Sequence, residues 1–435
     1  MNKTKLTRQE KRWILYDVGN SAFTMLVATI LPIYFNGIAG AAGLTEVEYL
    51  AYWGYAASIA TLIVVFIGPV LGTLTDTQGL KKPIFITSIA IGIAALIALS
   101  IPKHWLVFLA VFVIAKVGYN CSLIFYDSML VDITTKERMD MVSSNGYAWG
   151  YIGSCIPFVA SLIVVLLHEN FGLTMTMAMT IAFCINGVWW LLCSLPLLKH
   201  YEQVYYADTS KHNSIKNSFG RLYATLTDIK KDKNIFFFLL AFFFFIDGVY
   251  TIIEMATAYG SALGLDSTGL LLALLLTQVV AFPCALIFSR LSRTYKTEKL
   301  LKICIIAYTG IAFFAVQLDK QWEFWLLAFM VGIFQGAIQA LSRSYFTKII
   351  PAEKSGEFFG IYDICGKGAS FVGTTLVGVV AQITGIPNAG VAAVSVLFIV
   401  GFVLFCKAAV MNREIVSLSE QGKKINVSLY AKGRP

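Results

Sequence analysis

Charge is the first thing this sequence is short of. Of its 435 residues, 14% are Asp, Glu, Lys or Arg, against about a quarter in soluble globular domains. A water-soluble fold of this length is thereby excluded, and the 57% share of hydrophobic residues agrees. Histidine is scarce too. His104, His168, His200 and His212 fall at the ends of apolar stretches or in the polar middle segment, so no histidine relay for protons crosses an apolar core. The eight cysteines lie inside apolar stretches, with no CxxC and no Cys/His ligand spacing. That excludes a disulfide framework and a metal site, and leaves them as small packing residues. No GxxxxGK[ST] loop occurs, which excludes ATP-driven work by this chain alone. The clustered nucleophile and base that a membrane enzyme needs are missing as well, so neither an enzyme nor a cofactor is expected. The first apolar stretch is too long for a cleavable signal and lacks a small-residue cleavage site, so it is expected to act as its own insertion signal.

What is present is a series of twelve apolar stretches, each long enough to cross about 30 Å of hydrocarbon. They include spans at 13–36, 104–133 and 387–411. All are expected to be helices, because an open strand in lipid leaves its backbone polar groups unpaired. The formal net charge of +9 does not point to nucleic acid. With the N-terminus inside, nearly all basic residues, from Lys3 and Arg8 through Lys136, Lys230 and Arg343 to Arg434, fall on one side, and the opposite loops hold only Lys103 and Lys320. By the positive-inside rule both termini are cytoplasmic. A bacterial cytoplasmic (inner) membrane and a monomer are expected.

A polar stretch at 199–233 splits the spans six and six. The expected organisation is a six-helix bundle at 1–198, a cytoplasmic linker at 199–233, a second six-helix bundle at 234–411 and a cytoplasmic tail at 412–435. An internal repeat supports a duplicated bundle. FYDSMLVDITTKERMDMVSSNGYAWGYIGS from Phe125 aligns with LSRSYFTKIIPAEKSGEFFGIYDICGKGAS from Leu341, with Ser128 on Ser344, Glu137 on Glu353, Arg138 on Lys354 and, after a gap, Gly146 on Gly360. Glycines four apart (Gly68 and Gly72, Gly146 and Gly150, Gly356 and Gly360) permit close helix approach. They are read either as ordinary tight packing or as surfaces that slide between the halves.

Between the second and third spans, GTLTDTQGLKKP resembles the cytoplasmic signature of the major facilitator superfamily. Gly72, Asp76, Gly79 and Lys81 match, while Thr77 and Leu80 stand where basic residues are usual. A carboxylate at that helix end can accept from a neighbouring helix N-terminus or an arginine, latching one conformation. SRLSRTYKTEK, from Ser289, keeps the length and basic charge but not the Asp and Gly. YDVGNSAF at Tyr16, FYDSMLVDI at Phe125, IDGVYTII at Ile246 and QALSRSYFTKIIPAEKSGEFFGIYDICGK at Gln339 are similar to the autophagy-related protein 22-like family, also called vacuole effluxers, within that superfamily. The likeness runs from about Tyr16 to Lys367, with Val18 and Gly19 replacing a more usual Trp-Ala. It implies an all-α fold of twelve transmembrane helices in two pseudo-symmetric bundles and a secondary transporter. Amino-acid export is the activity associated with fungal members.

Ionisable side chains within a bilayer tend to face a cavity or a partner. Asp17 and Asn20, one turn apart, are expected to line an inner vestibule and to hold a proton, a cation or a substrate ammonium. Lys116 is expected at a depth within reach of Asp17 and to compensate its charge. Asp247 and Glu254 are read as carboxylates open to a cavity, and Asp363 and Lys367, four apart, as a pair on one helix face. Asn120, Gln278, Gln335 and Gln339 are candidates for neutral hydrogen bonds to solute or between helices. Arg343 is read as a gate or anchor, and the run FFFLLAFFFF at Phe236 as lipid-facing bulk. The function these residues suggest is alternating-access transport of a small polar solute, amino acids first, driven by a proton or sodium gradient. Sugar-cation symport, amphiphile export and a non-transporting receptor are the alternatives.

Overall fold

The computed structural model describes residues 5–207, 215–262, 264–385 and 387–432. In chain order the helices are α1 (Arg8–Ala28), α2 (Ile30–Ala41), α3 (Glu46–Thr75), α4 (Lys81–Ala98), α5 (Trp105–Ser128), α6 (Leu130–Ile133), α7 (Met139–Leu166), α8 (Met175–His200), α9 (Ile215–Lys231), α10 (Lys233–Ala262), α11 (Ser267–Leu291), α12 (Thr297–Val316), α13 (Gln321–Ile349), α14 (Ser355–Thr384) and α15 (Pro387–Lys432). Among the described residues 12 helical segments are long and apolar enough to cross a membrane. The chain is a multi-pass integral membrane protein.

Short polar signals start these helices. Thr7 with Glu10 and Thr45 with Glu48 form reciprocal capping boxes at α1 and α3, and the Asp266 carboxylate caps α11 by accepting from the Gly269 amide. The span expected at 13–36 is instead two helices broken at Thr29. Pro32 has no N–H to offer the carbonyl four residues back, and the Thr29 hydroxyl donates to the Met25 carbonyl at 2.5 Å. The stretch at 104–133 likewise ends in a separate turn, α6. The last helix does not stop at the expected tail but continues to Lys432.

The first six spans pack through α1 against α7 and α8 and through α4 against α5; the last six through α10 against α15 and α11 against α13. The two groups meet along α3 with α14 and along α7 with α11 and α13. The phenylalanine run corrects the lipid-facing expectation. Phe238, Phe242 and Phe245 are buried, with Phe242 stacked on Tyr362 at 4.0 Å and Phe238 against Tyr345 at 4.9 Å. Phe236, 37% exposed, is the most open phenylalanine of the run. At 3.6 residues per turn positions 238, 242 and 245 share one face, and that face is core.

Candidate functional site

Hydrogen bonds between the two halves cluster at the end of the bundle that carries the N-terminus, the basic end. There, the close approach of α3 and α14 is set by glycine: a Cβ on Gly72 would collide with the Gly356 carbonyl, and one on Gly360 would lie 2.6 Å from Pro69. The two GxxxG faces thus pack on each other across the boundary. Gly146 and Gly150 face α1 within the first half, where a Cβ on Gly146 would lie 2.7 Å from the Asp17 carboxylate.

Three charged knots join the two halves at this end. In the first, Asp76 at the C-terminus of α3 accepts from the amides of Gly356 at 2.7 Å and Glu357 at 2.9 Å, the first turn of α14. Lys81 donates to the Ser355 hydroxyl at 2.9 Å and pairs with Asp132 at 3.5 Å. Gly79 takes φ +78, a left-handed turn that glycine favours, and its amide donates to Gln203. Asp132 in addition accepts from Tyr201, Val204 and Tyr205, so the start of the connection between halves is tied to the same knot.

The second knot has Asp140 at its centre. From the other half Thr297 donates to it at 2.6 Å, Ser344 at 2.6 Å and Lys348 at 2.6 Å. The stretch from Ser289 contributes here as well, Ser289 accepting from Asn145 at 2.9 Å.

Between them is Arg343, 2% exposed. Its guanidinium pairs with Asp127 at 2.7 Å and Asp17 at 3.6 Å, and donates to the Ser143 hydroxyl at 2.9 Å and carbonyl at 3.1 Å. The rings of Tyr147, Trp13 and Tyr126 lie 4.5, 4.7 and 5.5 Å from the guanidinium carbon. The expectation that Lys116 compensates Asp17 is therefore corrected. The depth estimate fails: α5 sets Tyr126 against Trp13, Ser122 against Tyr16 and Tyr119 against Thr24, so Lys116 lies beyond the level of Asp17, near the Phe112 ring at 6.0 Å.

The other candidates separate. Asn20 is buried beside Asp17, its amide 3.5 Å from the carboxylate, and Asn120 is buried on α5. Lys367 and Asp363 pair at 2.6 Å on α14. Glu254 is exposed and Lys116 half-buried, one from each half, beyond the knots toward the opposite end. Asp247 is not open to a cavity: it is buried against α14 and accepts from the Gly373 amide at 2.9 Å and Thr251 at 3.3 Å. Gln278 and Gln335 line a mainly apolar crevice between α10, α11 and α13, and Gln339 reaches the Tyr151 hydroxyl of the first half at 3.4 Å. Among the described residues no group of three or more His, Cys, Asp and Glu is placed to hold a metal.

Asp127, Asp132, Asp140 and Lys348 were not among the sequence candidates. A signal existed. In the internal repeat that sets Ser128 on Ser344, Asp127 falls on Arg343 and Asp132 on Lys348. Opposite charges at equivalent positions of two halves can meet near a pseudo-two-fold axis, and Asp127 and Arg343 do.

Comparison with known proteins agrees with this architecture. The family described as "Vacuole effluxer Atg22 like" matches residues 39–414. An uncharacterized MFS-type transporter, YxiO, of Bacillus subtilis is 40% identical over 405 residues, covering 92% of this chain and 94% of that protein. Autophagy-related protein 22 of Kluyveromyces lactis is 23% identical over 402 residues, 86% of this chain and 76% of that one. Among solved structures, the major facilitator FucP in its outward conformation superposes with TM-score 0.68 at 16% identity, covering 92% and 97% of the two chains. A bacterial homologue of the iron transporter ferroportin in an outward-facing state gives 0.68 at 14% identity, covering 93% and 100%.

Proposed function

Because the chain belongs to the Atg22-like vacuole effluxer family of the major facilitator superfamily, and is thus a transporter rather than an enzyme, we propose that it exchanges a small zwitterionic solute, of the amino-acid class, between two sides of a bacterial cytoplasmic membrane. One observation carries the reading. The halves are locked by buried charge at the basic end, while beyond the lock each half contributes one charge of opposite sign, Lys116 from the first and Glu254 from the second. A carboxylate held by Lys116 and an ammonium held by Glu254 would bridge the halves in one solute.

With the basic end in the cytoplasm, the described arrangement corresponds to access from outside. Rocking the halves would break the three knots and open the inner side. Asp17 and Asp127 then lose Arg343, and each becomes available to a proton or sodium ion; this is the proposed coupling step, with efflux as the direction. Repair of the knots after solute leaves would return the carrier. Lys367, already neutralised by Asp363, serves packing and field near the solute rather than direct capture.

Counterflow in proteoliposomes tests the reading. Vesicles preloaded with amino acids, sugars, peptides and amphiphiles are assayed by mass spectrometry against protein-free vesicles. Exchange of amino acids, lost in Lys116→Met and Glu254→Gln, is the expected result. Exchange confined to sugars or amphiphiles, or insensitive to both substitutions, sinks it. Asp17→Asn is expected to keep counterflow while losing gradient-driven accumulation; unchanged proton- or sodium-driven transport removes Asp17 from coupling.

A further inference from the structure

The cage around Arg343 is asymmetric in origin. The guanidinium belongs to α13 in the second half, whereas the groups recorded around it belong to the first: carboxylates Asp127 and Asp17, the Ser143 hydroxyl and carbonyl, and the rings of Trp13, Tyr126 and Tyr147. The cage is contoured to a flat group. Gly146 forms part of its wall, and a Cβ there would stand 3.2 Å from the guanidinium nitrogen and 2.7 Å from Asp17. Two carboxylates, two further acceptors and three aromatic faces match what a planar delocalised cation needs: in-plane acceptors for its N–H groups and ring faces above it. One half thus carries a receptor for a guanidinium, and the other half fills it.

Resting on the alternating-access reading, we propose that this cage is a ligand site in its own right. When the basic end opens and α13 withdraws, a small monosubstituted guanidinium from that side takes the place of Arg343, pairing with Asp127 and Asp17 between the same rings. Two neighbouring carboxylates left in an aromatic pocket repel each other and are poorly solvated, so an entering cation offsets that cost. The ligand and Arg343 exclude each other. Guanidinium binding therefore holds the basic end open, and closure expels it.

The other charges near the cage are Asp363 and Lys367 on α14, which pair with each other at 2.6 Å, Lys367 also acting on Asp127. Lys348 and Asp140 are likewise satisfied by each other. When Arg343 leaves, the two carboxylates of the cage lose the one cation that pairs with both of them directly.

The experiment uses the full chain in detergent with methylguanidinium as probe and N-methylurea, its neutral planar counterpart, as comparator. In Arg343→Ala the vacated cage is expected to bind methylguanidinium saturably, read as a rise in melting temperature, and N-methylurea not at all. Adding Asp127→Asn is expected to weaken that binding by at least about tenfold. In the otherwise native chain the apparent affinity is expected to be weaker than in Arg343→Ala by the fraction of molecules that are open. There the readout is maleimide labelling of Ser289→Cys, buried at the basic-end contact, over the background of the parent protein; methylguanidinium is expected to speed it several-fold.

This second readout does not depend on whether Arg343→Ala folds. No acceleration of labelling, equal effects of N-methylurea, or binding that survives Asp127→Asn each overturns the proposal. Stabilisation of Arg343→Ala by acid alone, with indifference to methylguanidinium, also overturns it and assigns the cage to a proton. Counterflow run in parallel separates the two readings: solute exchange without cation binding leaves the carrier and removes the site, and binding without exchange does the reverse.

Discussion

Asp76 is fully buried between α3 and the first turn of α14, just outside the membrane-spanning segments on either side of it. Burial pushes its carboxyl up to about 7, against the Lys81 ammonium and the Glu357 and Gly356 amides, with the Glu357 carboxylate adding to the rise. If the halves part at this end, water reaches Asp76 and its affinity for protons falls toward the ordinary value near 4. The sign follows directly. The closed contact holds the proton more tightly, so the stabilisation from protonated Asp76 is full below about pH 4 and is lost as pH rises through about 7. Expressed relative to the labelling rate of a free thiol at the same pH, which itself falls with the thiolate fraction, Ser289→Cys labelling is therefore expected to slow further on acidification, by up to about tenfold per pH unit in that window. Asp76→Asn should flatten the profile. Glu357→Gln, which removes the neighbouring carboxylate, should move its midpoint to lower pH. A profile identical in all three proteins would exclude Asp76 as the titrating group.

Among elements, the α3–α14 contact depends on having no side chain at Gly72 and Gly356. The spacing of these glycines is visible in the sequence, but whether such a face meets its own half or the other is not. Gly68 and Gly72 turned out to cross the boundary, whereas Gly146 and Gly150 serve α1. Gly72→Ala is expected to cost the closed contact about 1–3 kcal/mol while leaving each bundle folded. Faster Ser289→Cys labelling at unchanged helix content by circular dichroism would be the measured result; slower labelling would mean that the contact relaxes and tightens. The phenylalanine face of α10 makes the complementary case. Phe242→Ala, in a stacked buried cluster, should destabilise the second half by about 3–5 kcal/mol, measured as loss of thermal stability, whereas Phe236→Ala on the exposed side should change little.

The whole molecule is held at one end by buried polar pairs, and in one of them the two members sit at equivalent places in the repeat. Asp127 with Arg343 is the central one. Exchanging the charges, Asp127→Arg with Arg343→Asp, is expected to recover part of the counterflow that either reversal alone abolishes. Recovery remains incomplete because Asp17, Ser143 and the three rings are placed for a guanidinium arriving from α13. Additive losses in the double variant would mean that the pair is not coupled.

Membrane residence, twelve spans, the six-and-six division and the internal repeat follow from the sequence itself, since length, apolarity and the distribution of Lys and Arg are local properties that a bilayer reads directly. The pairing of Asp363 with Lys367 was equally legible, because four residues on a helix define one face. The partner of Asp17 was not. Depths counted from the ends of two antiparallel apolar stretches favoured Lys116, but the offset of α5 along α1 and the approach of the opposite bundle decide which charge arrives. These are tertiary quantities, and they brought Arg343 from more than 300 positions away into a cage that no single segment of the chain contains.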